Sequence, residues 1–237
     1  MTDIAFHSRL QQHYDAMWDS AAGAVARGDV DRDMHLLAGR DERRGLTLIA
    51  RPDVSLRARF DAVLDRLAGA EQQQYRYPAA DMHMTILSLA TVTDDLAPAL
   101  LRLPDYEAAV RDALGGMTAF AIDFRGITIS RSAVLAQGFP RGPTLETLRE
   151  RLREALRDRG LGAGLDQRYR LVTAHATLLR FVAPLQAPRR FAALLESLRD
   201  EPMGCMRVGD VELVTNDWYM SNDAVERIAK IALPVAV

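Results

Sequence analysis

The sequence predicts an α+β fold, with two lobes built on antiparallel sheets, helices outside and a cleft between them. Three observations carry that prediction. Short strand-like runs are joined by turns rather than by regular strand–helix–strand crossovers, helical segments are interleaved among them, and one strand-like segment occurs twice. The chain has 237 residues, 49% of them hydrophobic and 26% charged, enough to bury a substantial core. No linker is long or disordered enough to separate independent domains. The expected organisation is a helical extension over 1–43 and a single bilobal domain over 44–237.

Taken in order, the extension reads mostly as helix. Ile4, Leu10, Tyr14, Met17, Trp18, Ala21 and Val25 lie largely at three- and four-residue spacing until Gly28 breaks the pattern. Asp29, Asp31 and Asp33 look like the start of a calcium loop. The glycine of the sixth position is missing, however, and Arg40 stands where the bidentate glutamate belongs, so that assignment fails. Leu46 to Arg51 is a β-rich run stopped by Pro52, Ser55 to Leu67 has helical periodicity, and Met82 to Ala90 alternates like a strand. Leu96 to Leu114 is helical with a break at Pro104. Short strands follow at Ala119–Phe124, Ile127–Ser130 and Ser132–Ala136, and Gly138, Pro140, Gly142 and Pro143 form a turn-rich joint. Thr144 to Arg159 is a strongly amphipathic helix closed by Gly160 and Gly162, its repeated Glu and Arg read as a solvated face. A strand over Leu171–Phe181, a helix over Pro188–Leu198 and strands over Met206–Thr215 and Val225–Leu233 complete the chain.

The repeated segment carries the chemistry. Arg76-Tyr77 followed by His83-Met84-Thr85-Ile86-Leu87-Ser88-Leu89 matches, at the same offsets, Arg168-Tyr169 followed by His175-Ala176-Thr177-Leu178-Leu179-Arg180-Phe181. On a strand each histidine shares a face with its threonine, so two such strands related by a pseudo-twofold point two His-x-Thr pairs into one cleft. Hydrolysis of a phosphodiester needs a base for the attacking water and an acid for the leaving oxygen, and histidine serves both roles near neutral pH. Threonine hydroxyls on the same face donate to phosphate oxygens where negative charge builds. No metal, cofactor or nucleophilic side chain is needed.

Composition narrows the alternatives. A formal charge of −2 provides no basic field for long nucleic acid. The single cysteine, Cys205, excludes a disulfide framework and suits a reducing compartment. No signal peptide is visible, and no apolar run approaches the ~20 residues that span a bilayer. A soluble, cytoplasmic protein without a membrane or stable protein partner is expected. Of 30 basic residues only Lys230 is lysine, so a lone arginine carries little functional information.

The paired His83-x-Thr85 and His175-x-Thr177 resemble the signature of the 2H phosphoesterase superfamily, in particular its bacterial branch of 2′-5′ RNA ligases and RNA 2′,3′-cyclic phosphodiesterases. The strand from Gly45, the Val134–Gln137 segment, the Thr144–Arg159 helix and the His-Ala-Thr-Leu-Leu-Arg run follow that family's order over roughly 44–235. The resemblance implies a bilobal α+β fold in which each lobe gives one His-x-Thr pair to a central cleft. It implies metal-independent opening of 2′,3′-cyclic phosphates on small nucleotides or RNA ends, with His175 as base and His83 as acid. The sequence departs from the pattern at Ala174, where a proline often precedes the second histidine. It departs also in its helical leader, which would serve as a lid, a packing cap or a dimer element. The same acid–base pair run backwards would ligate 2′-5′ ends, and a nucleotide- or RNA-binding module is the non-enzymatic alternative.

Arg180 follows the second motif at a family-like place and would reach a phosphate or base, or would be a solvated or structural arginine, since an ideal strand puts it on the face opposite His175. Tyr77 and Tyr169, with Arg76 and Arg168 before them, would contact a substrate at the cleft rim or simply pack. Trp218 and Tyr219 would line the cleft or the core. His7, His13 and His35 are expected to be exposed on the leader, and Cys205 to be inert.

Overall fold

The computed structural model describes residues 3–38, 41–166 and 170–235. Two antiparallel sheets form its frame. The first comprises β1 (Arg44–Ala50), β3 (Met84–Thr93), β8 (Asp210–Asn216) and β9 (Glu226–Ala232), in the order β3-β1-β8-β9. The second comprises β2 (Tyr75–Arg76), β4 (Phe120–Ile129), β5 (Ala133–Pro140), β6 (Ala176–Arg180) and β7 (Pro202–Val208), in the order β2-β6-β5-β4-β7. Setting aside the two-residue β2, each sheet is a four-strand unit that ends in a strand carrying one repeat.

The helices cross between the units. α3 (Val54–Ala70) joins β1 to β3 within the first sheet but packs on β6 and β7 of the second. The Asp53 carboxylate caps it by accepting from Leu56 N at 2.8 Å, and Phe60 meets Phe124 edge-on at 5.2 Å. α6 (Thr144–Asp158) joins β5 to β6 within the second sheet but packs on β3 of the first. This exchange buries one continuous core and holds the two repeats in a fixed relation.

Several expected boundaries move. The two runs at 119–124 and 127–130 form the single strand β4, with a bulge where Gly126 adopts φ 65° and a Cβ would lie 1.7 Å from Arg199 O. The expected joint at Gly138 and Pro140 belongs to β5, because a bare glycine lets Ala174 O come close; a Cβ there would sit 1.9 Å from that oxygen. The strand expected over 171–181 shortens to β6, since 171–175 make no ladder. The helix expected over 96–114 divides into α4 (Ala97–Leu100) and α5 (Leu103–Leu114), with Pro104 in the first turn of α5, where its missing N–H has no helical partner to lose. The expected strand 206–215 is β7 and β8, separated at Gly209.

The extension forms α1 (Asp3–Ala26), packed on α7 (Pro188–Ser197) and on β4 and β5, and then α2 (Met34–Ala38). Tyr14 is fully buried. Among the described residues no helix is long and apolar enough to cross a membrane.

Candidate functional site

The two repeats meet in a cleft of about 240 Å³ lined by His83, Thr85 and Ser88 from one and His175, Thr177 and Arg180 from the other. Each histidine stands just before its strand, and both residues are half-buried. They lie close enough that the charge of His83 disfavours protonation of His175.

The rings are held differently. His83 Nδ1 lies 2.7 Å from Asp81 O, and a carbonyl only accepts, so this nitrogen carries the proton and Nε2 is left for chemistry. His175 Nδ1 lies 2.8 Å from Thr173 Oγ1, a hydroxyl able to donate or accept. Burial pushes both histidines down to about 4. For His83 the Asp81 carbonyl and the Asp217 carboxylate oppose that shift, while the Arg51 and Arg180 charges reinforce it. For His175 the Arg149 and Arg180 charges and the His83 ring reinforce it.

Arg180 faces the cleft, contrary to the expectation from an ideal strand. Leu179 pairs with Val134 and Thr177 with Leu135, so Leu178 is an extra residue that reverses the alternation. The first repeat does the same: Leu87 pairs with Leu48 and Thr85 with Ile49, leaving Ile86 as the bulge. Burial therefore runs in the same order through both repeats, with the histidine, the threonine and the fifth residue after the histidine half-exposed. That fifth residue is Ser88 in one repeat and Arg180 in the other.

Behind the cleft lies a brace that sequence reasoning missed. Arg149 and Arg153, expected on a solvated face of α6, are 3% and 1% exposed. Arg149 Nε donates to Ile86 O at 2.8 Å, and its Nη2 donates to Thr85 O at 3.0 Å and Thr173 O at 2.8 Å, so one guanidinium ties the first motif to the approach of the second. Burial lowers its pKa to about 10. Arg153 pairs with Asp166 at 2.7 Å. The extension adds Tyr14 Oη, which accepts from Ala174 N at 3.2 Å, beside His175. The leader thus packs directly against the second motif.

The remaining expected residues divide. Tyr77 is buried with its hydroxyl accepting from Arg180 Nε at 3.0 Å, and it borders the cleft, as do Trp218 and Tyr219. Asp217 Oδ1 accepts from Tyr219 N at 3.1 Å and Ser221 N at 2.9 Å, fixing that corner. Asn216, also on the cleft wall, keeps a buried Oδ1 without a hydrogen bond. Arg76 points elsewhere, to Asp65 at 2.9 Å. Arg168 and Tyr169 lie outside the described residues. His13 and His35 are exposed, whereas His7 is half-buried with Nε2 2.7 Å from Pro140 O, because α1 packs onto β5. Cys205 is a free, exposed thiol. Among the described residues no group of His, Cys, Asp or Glu is arranged to hold a metal ion.

A sequence profile of the 2′-5′ RNA ligase superfamily matches residues 52–218. Among solved structures, TT0787 of Thermus thermophilus superposes with a TM-score of 0.62 at 18% identity, covering 82% of this chain and 100% of that one. LigT of E. coli in apo form gives 0.52 at 16% identity over 81% and 98%. The same protein complexed with 3′-AMP gives 0.51 at 17% over 81% and 98%. At such identities the likeness is one of fold. No curated protein matches the sequence.

Proposed function

Because the chain belongs to the 2′-5′ RNA ligase superfamily of 2H phosphoesterases, we propose that its cleft hydrolyses 2′,3′-cyclic phosphates of nucleotides or RNA ends by paired histidine acid–base catalysis. The observation that carries this reading is the convergence of two His-x-Thr pairs, each on a bulged strand, on one cavity. One imidazole removes a proton from water as its oxygen attacks phosphorus. The ribose oxygen leaves as the P–O bond breaks, and the other imidazolium protonates it. Thr85 and Thr177 hydroxyls donate to the non-bridging oxygens, and Arg180 offsets their growing charge. That LigT, similar in fold, is found complexed with 3′-AMP supports a nucleotide-sized occupant.

The ring environments support a division of labour. Asp81 O and Asp217 favour the charged form of His83, which suits an acid. The charged groups acting on His175, Arg149, Arg180 and His83, all favour its neutral form, which suits a base. Incubation with 2′,3′-cyclic AMP in excess chelator, followed by chromatography, should yield a 2′- or 3′-monophosphate. Absence of product from both this nucleotide and a cyclic-phosphate-ended RNA would refute the reading.

A further inference from the structure

The Asp29-x-Asp31-x-Asp33 stretch, which fails as a calcium loop, has a different arrangement in the fold. Arg131, in the turn between β4 and β5, binds Asp29 Oδ1 and Asp31 Oδ1, each at 3.0 Å, and Asp31 N donates to Arg131 O at 2.8 Å. These contacts dock the chain on the second sheet. Asp33 N then donates to Phe181 O at 2.7 Å, which sets its carboxylate beside the end of β6. There Oδ1 accepts from Tyr219 Oη at 2.7 Å, and Oδ2 lies 3.8 Å from Arg180 Nη1. The Arg180 guanidinium lies 5.5 Å from the Tyr219 ring centroid and hydrogen-bonds Tyr77. Both Asp33 and Arg180 are largely buried, so solvent screens their interaction weakly.

We propose that Asp33 is a positioning residue of the cleft, supplied by the extension ahead of the superfamily match, which tethers Tyr219 and offsets the Arg180 charge so that the site favours a singly charged phosphodiester over a doubly charged phosphomonoester. The proposal rests on the cleft being a phosphate site. Arg180 is the one Arg or Lys side chain lining it among the described residues. With Asp33 behind it, a diester sees a nearly balanced pair, while the second charge of a monoester adds a further repulsion from the Asp33 carboxylate. A cyclic diester carries one charge and its hydrolysis product close to two at pH 8, so this arrangement would hold substrate and expel product.

Calorimetry at pH 8 with 3′-AMP and with its methyl ester tests this without requiring turnover, since the pair differ by one charge on the same nucleoside. Asp33→Asn keeps the size and an acceptor for Tyr219. It should shift the affinity ratio towards 3′-AMP by about five- to thirty-fold, as expected for one unit charge about 8 Å away at an effective dielectric of 20 to 40. Asp33→Glu should keep the wild-type ratio, and Tyr219→Phe should weaken both ligands without changing it. If Asp33→Asn does not fold, Asp33→Ser gives the same measurement. An unchanged ratio in the folded neutral variant, or equal ratios for Asn and Glu, overturns the proposal. Binding of neither ligand by the wild type overturns both it and the phosphate-site reading. Failure to turn over a cyclic nucleotide while the ratio shifts as stated would refute the reaction alone.

Discussion

The two repeats share a backbone plan and differ in what surrounds it. Each carries a histidine ahead of a strand, a threonine inside, and a bulge after the threonine that turns the fifth residue into the cleft. In the first repeat the imidazole leans on a backbone carbonyl and the fifth residue is serine; in the second it leans on a hydroxyl and the fifth residue is arginine. The shared plan aims two imidazoles at one place. Under the proposed reaction one imidazole is the acid and the other the base, and these differences are where their surroundings diverge.

The largest test of that division removes the imidazoles. His83→Ala and His175→Ala should each lower turnover of a cyclic nucleotide by about 10²–10⁴-fold, with folding checked by circular dichroism. Near-wild-type turnover in either folded variant would end the paired mechanism. Because burial pushes both groups down to about 4, the unliganded protein is mostly doubly neutral at pH 7. The singly protonated pair declines by roughly tenfold per pH unit above the higher pKa. The pH profile of kcat/KM should therefore fall from about pH 5 towards 7, while kcat peaks at higher pH because the bound phosphate anion favours a protonated imidazole. A kcat/KM plateau across pH 5–8 would contradict this.

The next test cuts what both repeats share. Arg149 satisfies carbonyls of Thr85, Ile86 and Thr173, so Arg149→Met leaves buried acceptors unpaired and should cost about 2–4 kcal/mol in chemical denaturation. Arg149→Lys should recover little, since an ammonium lacks the planar fork that reaches three carbonyls. A stability within about 0.5 kcal/mol of wild type, a roughly neutral surface-type effect, would show that the brace does not hold the two motifs.

That brace also marks how far the sequence was legible. The repeat announced the cleft because its residues recur at fixed offsets, and alternation with turn residues announced antiparallel sheets. Residue type alone assigns Arg149 and Arg153 to solvent, although both share the helix face of Leu145, Leu148, Leu152 and Leu156. Their spacing was the signal, and charge obscured it. For Arg180 the sequence leaves both a cleft contact and the opposite face open, because strict alternation does not anticipate a bulge at Leu178. The exchange of α3 and α6 between sheets, and the arrival of Asp33 beside Arg180, depend on contacts between residues far apart in the chain. Local periodicity holds no trace of either.

The fifth positions are the sharpest asymmetry between the repeats. Arg180→Ser makes the second repeat match the first and should raise KM for a cyclic nucleotide by about ten- to a hundredfold, the worth of one charge-assisted hydrogen bond to phosphate. Ser88→Ala should change it by about twofold or less, because an exposed-side hydroxyl contributes little net free energy. Equal effects at the two positions would mean that the cleft does not distinguish its halves.

The smallest expected effect lies in the partners of Nδ1. As base, His175 must present the Nε2 lone pair to water, so its Nδ1 proton points at Thr173 Oγ1, which then accepts. When Nε2 takes the proton of water, that hydroxyl stabilises the imidazolium. Thr173→Val keeps the shape and the carbonyl that Arg149 uses, but removes the acceptor. The charged form of His175 is then less favoured, its pKa falls further, and the limb of the kcat profile belonging to the base should move to lower pH by less than about one unit. Turnover at neutral pH should drop by only about three- to tenfold, since one neutral hydrogen bond is involved. Thr173→Ser should restore both. The corresponding contact of His83 is to a backbone oxygen that side-chain replacement does not remove, so the limb belonging to the acid should stay where it is in all three proteins. Movement of that limb with Thr173→Val would reverse the assignment of acid and base.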